Sequence, residues 1–98
     1  AKVLILGNHE HISMRMIDEF REVGYDGKYS ATVESAIEVL AAEHFDVLII
    51  GGGVKEANAL RVDKGVRAIL PEIAVQRMNL SREPLYWLKK ALGSRKTL

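Results

Sequence analysis

Phe45-Asp46-Val47-Leu48-Ile49-Ile50-Gly51-Gly52-Gly53 is the stretch that most restricts the fold of this chain. Val47 to Ile50 is apolar at every position. A strand with one wet face alternates apolar and polar residues, whereas a strand without alternation is covered on both faces. Such a strand belongs in the middle of a parallel sheet, with helices above and below it. Three glycines follow at once and let the backbone turn sharply. In open α/β sheets this carboxyl end of the strands is where sites are built. Here the glycines bring no side chain to it.

The remaining elements fit the same plan. Lys2-Val3-Leu4-Ile5-Leu6, closed by Gly7-Asn8, reads as a second buried strand. Ile12, Met16, Phe20 and Val23, with Ile17 beside them, recur at helical steps. Asn8 is the expected N-cap of that helix and Gly24 its left-handed C-cap. Tyr25 to Thr32 is more polar, as an edge strand should be. Thr32 can cap a second helix with an apolar stripe of Val33, Ala36, Ile37, Leu40 and Ala41. Beyond Gly53 two readings fit. In the favoured one, a helix ends before Pro71 with Leu60, Val66, Ile69 and Leu70 inward, and the fourth strand lies within 72–78. In the other, Gly65 caps a short helix and the strand is 66–70. The first places a glycine inside a helix, at a cost of about 1 kcal/mol that packing can absorb. It also gives Ile73 and Val75 one inward face. Asn79-Leu80-Ser81 reads as a turn, with Ser81 as the next N-cap. Leu85, Leu88, Ala91 and Leu92 form the last stripe, with Trp87 at its border and Gly93 as the helix end.

Strictly alternating strands and helices imply parallel strands joined by right-handed crossovers. The expected fold is α/β: a flavodoxin-like three-layer sandwich with a four-stranded parallel sheet of order 2-1-3-4. The first and last helices should cover one face and the middle two the other. The expectation is one domain over 1–93 and a basic tail over 94–98. With 98 residues, the core is modest. The chain has no cysteine, which excludes disulfides and thiolate metal sites. Its apolar runs are far too short to cross a bilayer and it opens on no signal peptide, so the expected location is cytoplasmic.

From Lys2 to about Gly53 the chain resembles the receiver domain of two-component response regulators. Four segments carry the resemblance: Lys2 to Leu6 with its polar turn; Phe20-Arg21-Glu22-Val23-Gly24-Tyr25; Ala31-Thr32-Val33-Glu34-Ser35-Ala36-Ile37; and Phe45 to Ile50. The resemblance implies acidic residues after the first strand to hold magnesium, and a phosphoacceptor aspartate after the third. Those positions read Gly7, Asn8 and His9, and Gly51. The family also has a fifth strand bearing a lysine and a fifth helix, for which this chain has no counterpart. The resemblance therefore carries the fold and not the activity: a truncated, degenerate receiver.

Three constellations bear on function. His9 and His11 would share a side in an extended segment and could chelate a transition metal, but no third ligand is evident. Solvated loop residues are the simpler reading, and no metal or cofactor is expected. Gly51, Gly52 and Gly53, with Lys55 close by, could cradle an anion on backbone amides, though the dinucleotide and P-loop fingerprints are absent. A tight turn accounts for the glycines more simply. Lys89, Lys90, Arg95 and Lys96 beside Trp87 are weak evidence for nucleic acid, and the formal net charge is only +1. Ser13 and Thr32 have no base beside them, so the chain is not expected to be an enzyme.

The expected role is a non-catalytic, receiver-like interaction or regulatory module that is not phosphorylated. The alternative is a small-ligand or anion-binding domain using Asn8, His9, His11, Gly51, Gly52, Gly53 and Lys55. A fourth strand at the sheet edge must pair or be masked. A homodimer through Ile73, Val75, Met78, Leu80 and Trp87 is therefore the expected assembly, without nucleic-acid or membrane partners.

Overall fold

The computed structural model describes residues 2–79 and 81–95, with side chains described for 2–79 and 81–93. The elements alternate as expected: β1 (Lys2–Leu6), α1 (Glu10–Glu22), β2 (Asp26–Ser30), α2 (Val33–Ala42), β3 (Val47–Ile50), α3 (Glu56–Ile69), β4 (Ala74–Arg77) and α4 (Pro84–Arg95). All neighbouring strands are parallel, in the order β2-β1-β3-β4. The register puts Ile5 beside Ile49 and Leu48 beside Val75.

Two cores follow from the strand period of two. Leu4, Leu6, Leu48 and Ile50 face α2 and α3, packing with Val33, Ala36, Leu40, Ala59, Val62 and Val66. Val3, Ile5, Val47 and Ile49 face the other way and pack with Met16, Ile17 and Phe20 of α1 and Leu88 and Ala91 of α4. Both faces of β1 and β3 are thus dry, which is why their sequences do not alternate. No helix among the described residues is long and apolar enough to cross a membrane.

Helix boundaries match the expectation better than helix phases do. In α1 the buried residues are Ser13, Met16, Ile17 and Phe20, while Ile12 is 55% and Val23 50% exposed. Ile12 lies in the first turn, at the mouth of the sheet, and Val23 is already the C-cap. In α3, Ala59, Val62 and Val66 are buried; Leu60 and Ile69 are exposed and Leu70 is half-buried. Ala41 of α2 is exposed too. The inward positions missed in sequence are Ser13, Ala59 and Val62; the first two are small and let helix and sheet approach. Gly65 has a similar reason to be small: a Cβ there would lie 2.8 Å from Ile37 Cδ1, on the helix packed beside it. The helix through Gly65 and the strand at Ala74–Arg77 bear out the favoured reading of this region over the 66–70 alternative.

The caps divide. Gly24 takes the left-handed backbone, with φ of 91°. The Thr32 hydroxyl accepts from the Ser35 N–H at 3.1 Å and caps α2. Asn8 does not cap α1; the N-cap is His9, with no side-chain bond. Ser81 does not cap α4, because its N–H donates to Asn79 Oδ1 (2.8 Å) in a local turn and the helix starts at Pro84. Nor does Gly93 end α4, which continues to Arg95, because this glycine keeps a negative φ.

Glu43, the C-cap of α2, ties the sheet edge together by accepting from Lys2 Nζ of β1 and, at 2.8 Å, from Lys28 Nζ of β2. The hydrogen bond from Lys2, then that from Lys28, holds its carboxyl below the ordinary 4.5. A depressed folded value means that the contribution is present above 4.5 and is lost as pH falls through the folded value. Glu43→Gln is expected to melt slightly lower than the parent at neutral pH and to match it at acid pH, once the carboxyl is protonated in the folded state as well. Melting curves across pH check this; a constant gap down to the acid end would refute it.

Candidate functional site

Three loops converge at the carboxyl ends of the strands: 7–9 after β1, 51–55 after β3 and 78–79 after β4. Backbone bonds knit them. The Gly51 N–H donates to Leu6 O at 2.7 Å, and the Met78 N–H to Ile50 O at 2.9 Å. The side-chain amide of Asn8 donates to Gly53 O at 2.5 Å. A Cβ at Gly51 would sit 3.2 Å from Leu6 O and 3.5 Å from Gly7 Cα. At Gly52 it would sit 3.2 Å from Met78 O and 3.3 Å from Asn79 Cα. These neighbours are backbone atoms that cannot swing aside. Close approach of the loops therefore accounts for these two glycines; neither has a positive φ, so the reason is not the tight turn expected from sequence.

A cleft of about 540 Å³ lies between these loops and α1. Five expected site residues line it together: Asn8, His9, Gly51, Gly52 and Gly53. Lys55 does not line it; it is the exposed N-cap of α3. His11 does not either, because it is exposed on α1. His11 lies in the first turn of α1 and only His9, its N-cap, is extended, so the two do not sit in the one extended segment that the chelate reading required. Among the described residues no group of three His, Cys, Asp or Glu could hold a metal ion.

Sequence reasoning missed the cleft's apolar wall, formed by Ile5, Ile12, Met16 and Met78. On helical spacing alone Ile12 belongs to the core stripe. A first-turn apolar residue directly after a buried strand is the signal that could have found the wall, since the topology puts that turn at the sheet's mouth. Among the described residues no Asp, Glu, Lys or Arg lines the cleft. Two carboxylates of α2 and α3 are ion-paired: Glu56 accepts from Arg77 Nη1 at 2.8 Å and Glu34 from Arg61 Nη2 at 2.5 Å. The hydrogen bond from the arginine is the leading cause that holds each below the ordinary carboxylate value.

No family model matches the sequence, and no curated protein matches it. Solved structures match the shape. The signal receiver domain of an HD domain-containing protein from Pseudomonas fluorescens Pf-5 superposes with a TM-score of 0.81, at 12% identity, over 99% of this chain and 98% of that one. The fold is that of a response-regulator receiver domain. A chain of the complex between histidine kinase ThkA and response regulator TrrA matches with a TM-score of 0.74 at 13% identity, over 98% of each chain. The beryllofluoride-activated NtrC4 receiver domain dimer matches with 0.71 at 16% identity, over 94% of this chain and 75% of that one.

The magnesium that the receiver fold implies does not suit the residues present. Magnesium takes oxygen ligands, carboxylates above all, in tight octahedral geometry. Gly7 and Gly51 offer no side chain, Asn8 offers a neutral amide oxygen in place of a carboxylate, and His9 offers imidazole nitrogen. This donor set is the wrong one for so hard a cation.

The expected interface residues fall into three groups. Ile73 and Trp87 are buried in the chain's own core, at 8% and 7% exposure, and the Trp87 indole N–H donates to Asn79 O at 3.2 Å. Their side chains are already covered and cannot offer an exposed patch. Val75 and Met78 are half-buried. Leu80 lies outside the described residues. What remains open at this edge of the sheet is the outer backbone of β4.

Proposed function

We propose that residues 1–93 act as one receiver-like module that regulates by binding protein, without catalysis and without being phosphorylated, and that its assembly in the cytoplasm is a homodimer. The observation that carries the reading is Gly51. It has no side chain to accept a phosphoryl group, and a Cβ placed there would make a tight 3.2 Å contact with Leu6 O. The charge-free cleft beside it supports the same reading. That structural neighbours include a receiver dimer and a kinase–regulator complex supports protein as the partner class, in preference to nucleic acid.

The open edge supports the dimer. Ala74 and Met78 direct their N–H groups inward, to Asp46 O and Ile50 O. Residues of a parallel ladder alternate in the side to which they bond. Val75 and Arg77 therefore direct their N–H and C=O groups outward. The Arg77 carbonyl is already met by Gln76 Nε2 at 2.7 Å, leaving Val75 as the centre of the edge. A two-fold partner would pair Val75 with its own copy, antiparallel, and join two sheets of four strands into one.

One set of measurements tests this. Incubation with acetyl phosphate and magnesium is expected to leave the intact mass unchanged, and light scattering is expected to give a dimer. Val75→Pro removes an outward N–H, which an edge strand tolerates, and keeps an apolar side chain at a half-buried position. It should give a folded monomer by circular dichroism and scattering. A covalent phosphoprotein would overturn the first half, and a monomeric parent at high micromolar concentration the second.

A further inference from the structure

We propose that the cleft at the mouth of the sheet is a binding site for a small, uncharged, ring-containing molecule. This does not depend on pairing at the β4 edge, which lies on another side of the sheet.

Position, size, charge and lining agree. The cleft sits at the carboxyl ends of β1, β3 and β4, where open α/β folds bind ligands. At about 540 Å³ it falls within the roughly 300–1,000 Å³ usual for small-molecule sites. Among the described residues no ionised carboxylate, ammonium or guanidinium lines it. A charged ligand would give up water there without gaining a counter-charge. That argues against phosphate, nucleotide and carboxylate ligands, and with Lys55 off the cleft it argues against the anion reading of the glycine loop. The wall supplies apolar surface instead. Ile12 is 55% exposed although it is a large aliphatic side chain next to a concave apolar surface. Met16 and Met78 bring two thioethers to the same wall. Thioether sulfur packs favourably against aromatic rings, and methionine adapts its shape to them. Ser13, itself 3% exposed, brings a hydroxyl to the lining, and exposed Asn8, His9 and Asn79 add polar groups. A mostly apolar surface with a few fixed polar groups is how such sites orient a ligand. The ligand class is therefore a neutral aromatic compound with one or two hydrogen-bonding groups.

The probe is N-phenyl-1-naphthylamine, a neutral aromatic dye that brightens in apolar surroundings. The parent is expected to bind one dye per chain saturably, with affinity unchanged by added salt or inorganic phosphate. Amide shifts on titration should concentrate at residues 7–16, 51–53 and 78–79. Ile12→Glu changes an exposed residue, so the fold should survive, and dye affinity should fall by about tenfold or more. Met78→Gln, altering the same wall from another loop, should weaken it in the same direction. Leu60→Glu, an exposed aliphatic position on α3 away from the cleft, should bind like the parent. Non-saturable binding, competition by phosphate, shifts spread over the whole surface, or equal affinity in Ile12→Glu and Leu60→Glu would each overturn the proposal.

Discussion

Phe20→Ala is expected to lower the unfolding free energy by about 3–5 kcal/mol. Phe20 has no exposed surface and lies in the core between α1 and the sheet, with Val3, Ile5, Val47, Ile49 and Leu88. Truncation removes a ring's worth of burial and leaves a cavity that the central strands, covered on both faces, cannot collapse to fill. A domain of this length has only about 5–15 kcal/mol in total. The variant should therefore be partly unfolded near body temperature. Urea unfolding reads the effect as a lower midpoint with little change in slope. Ile12→Ala on the same helix is the internal control, expected within about 0.5 kcal/mol of the parent because Ile12 is exposed. If the two variants behaved alike, the phase of α1 would be wrong.

Leu88→Ala is the second large loss, about 2–5 kcal/mol. Leu88 is fully buried where α4 lies against β3 and β4. After β4 the chain crosses to the α1 face, and α4 covers the half of that face that α1 leaves bare. Among the described residues of α4 only Trp87, Leu88 and Ala91 are buried, so one truncation removes much of its anchor. Loosening α4 also uncovers Ala74 and Met78 beside the open edge of β4. Urea unfolding should give the loss in stability, and light scattering should show larger species on mild heating. Lys89→Ala, one residue on and exposed, should do neither.

These two residues also show what was legible in the sequence. Strand order, strand faces and the sides taken by the helices could be read because Lys2 to Leu6 and Val47 to Ile50 are dry on both faces, and few topologies allow that. Phe20 and Leu88 lie on stripes that size and spacing announce. Helix phase was harder where small residues make the contact. Ser13 and Ala59 carry little hydrophobic signal, so the larger Ile12 and Leu60 drew the stripe towards themselves. The site was legible only as backbone. Its loops follow from strand ends and glycines, and Asn8, His9 and Gly51 to Gly53 do meet there. The apolar wall was hidden because Ile12 and Met16 look like ordinary core on a helical wheel and Met78 lies far away in sequence. His11 and Lys55 were brought in by proximity along the chain, which a helix start undoes within two residues.

The hydrogen bond between the Gly51 amide and the Leu6 carbonyl, with the tight space above it, bears on attempts to reprogram this scaffold. Grafting an aspartate at 51 and acids at 7 and 8 would crowd the strand tips, because a Cβ at 51 presses on Leu6 O at 3.2 Å and one at 7 meets Ser13 Oγ at 2.7 Å. A designer would pair the graft with Ser13→Ala, which clears the harder contact and leaves only a small adjustment of the β1 tip at the other.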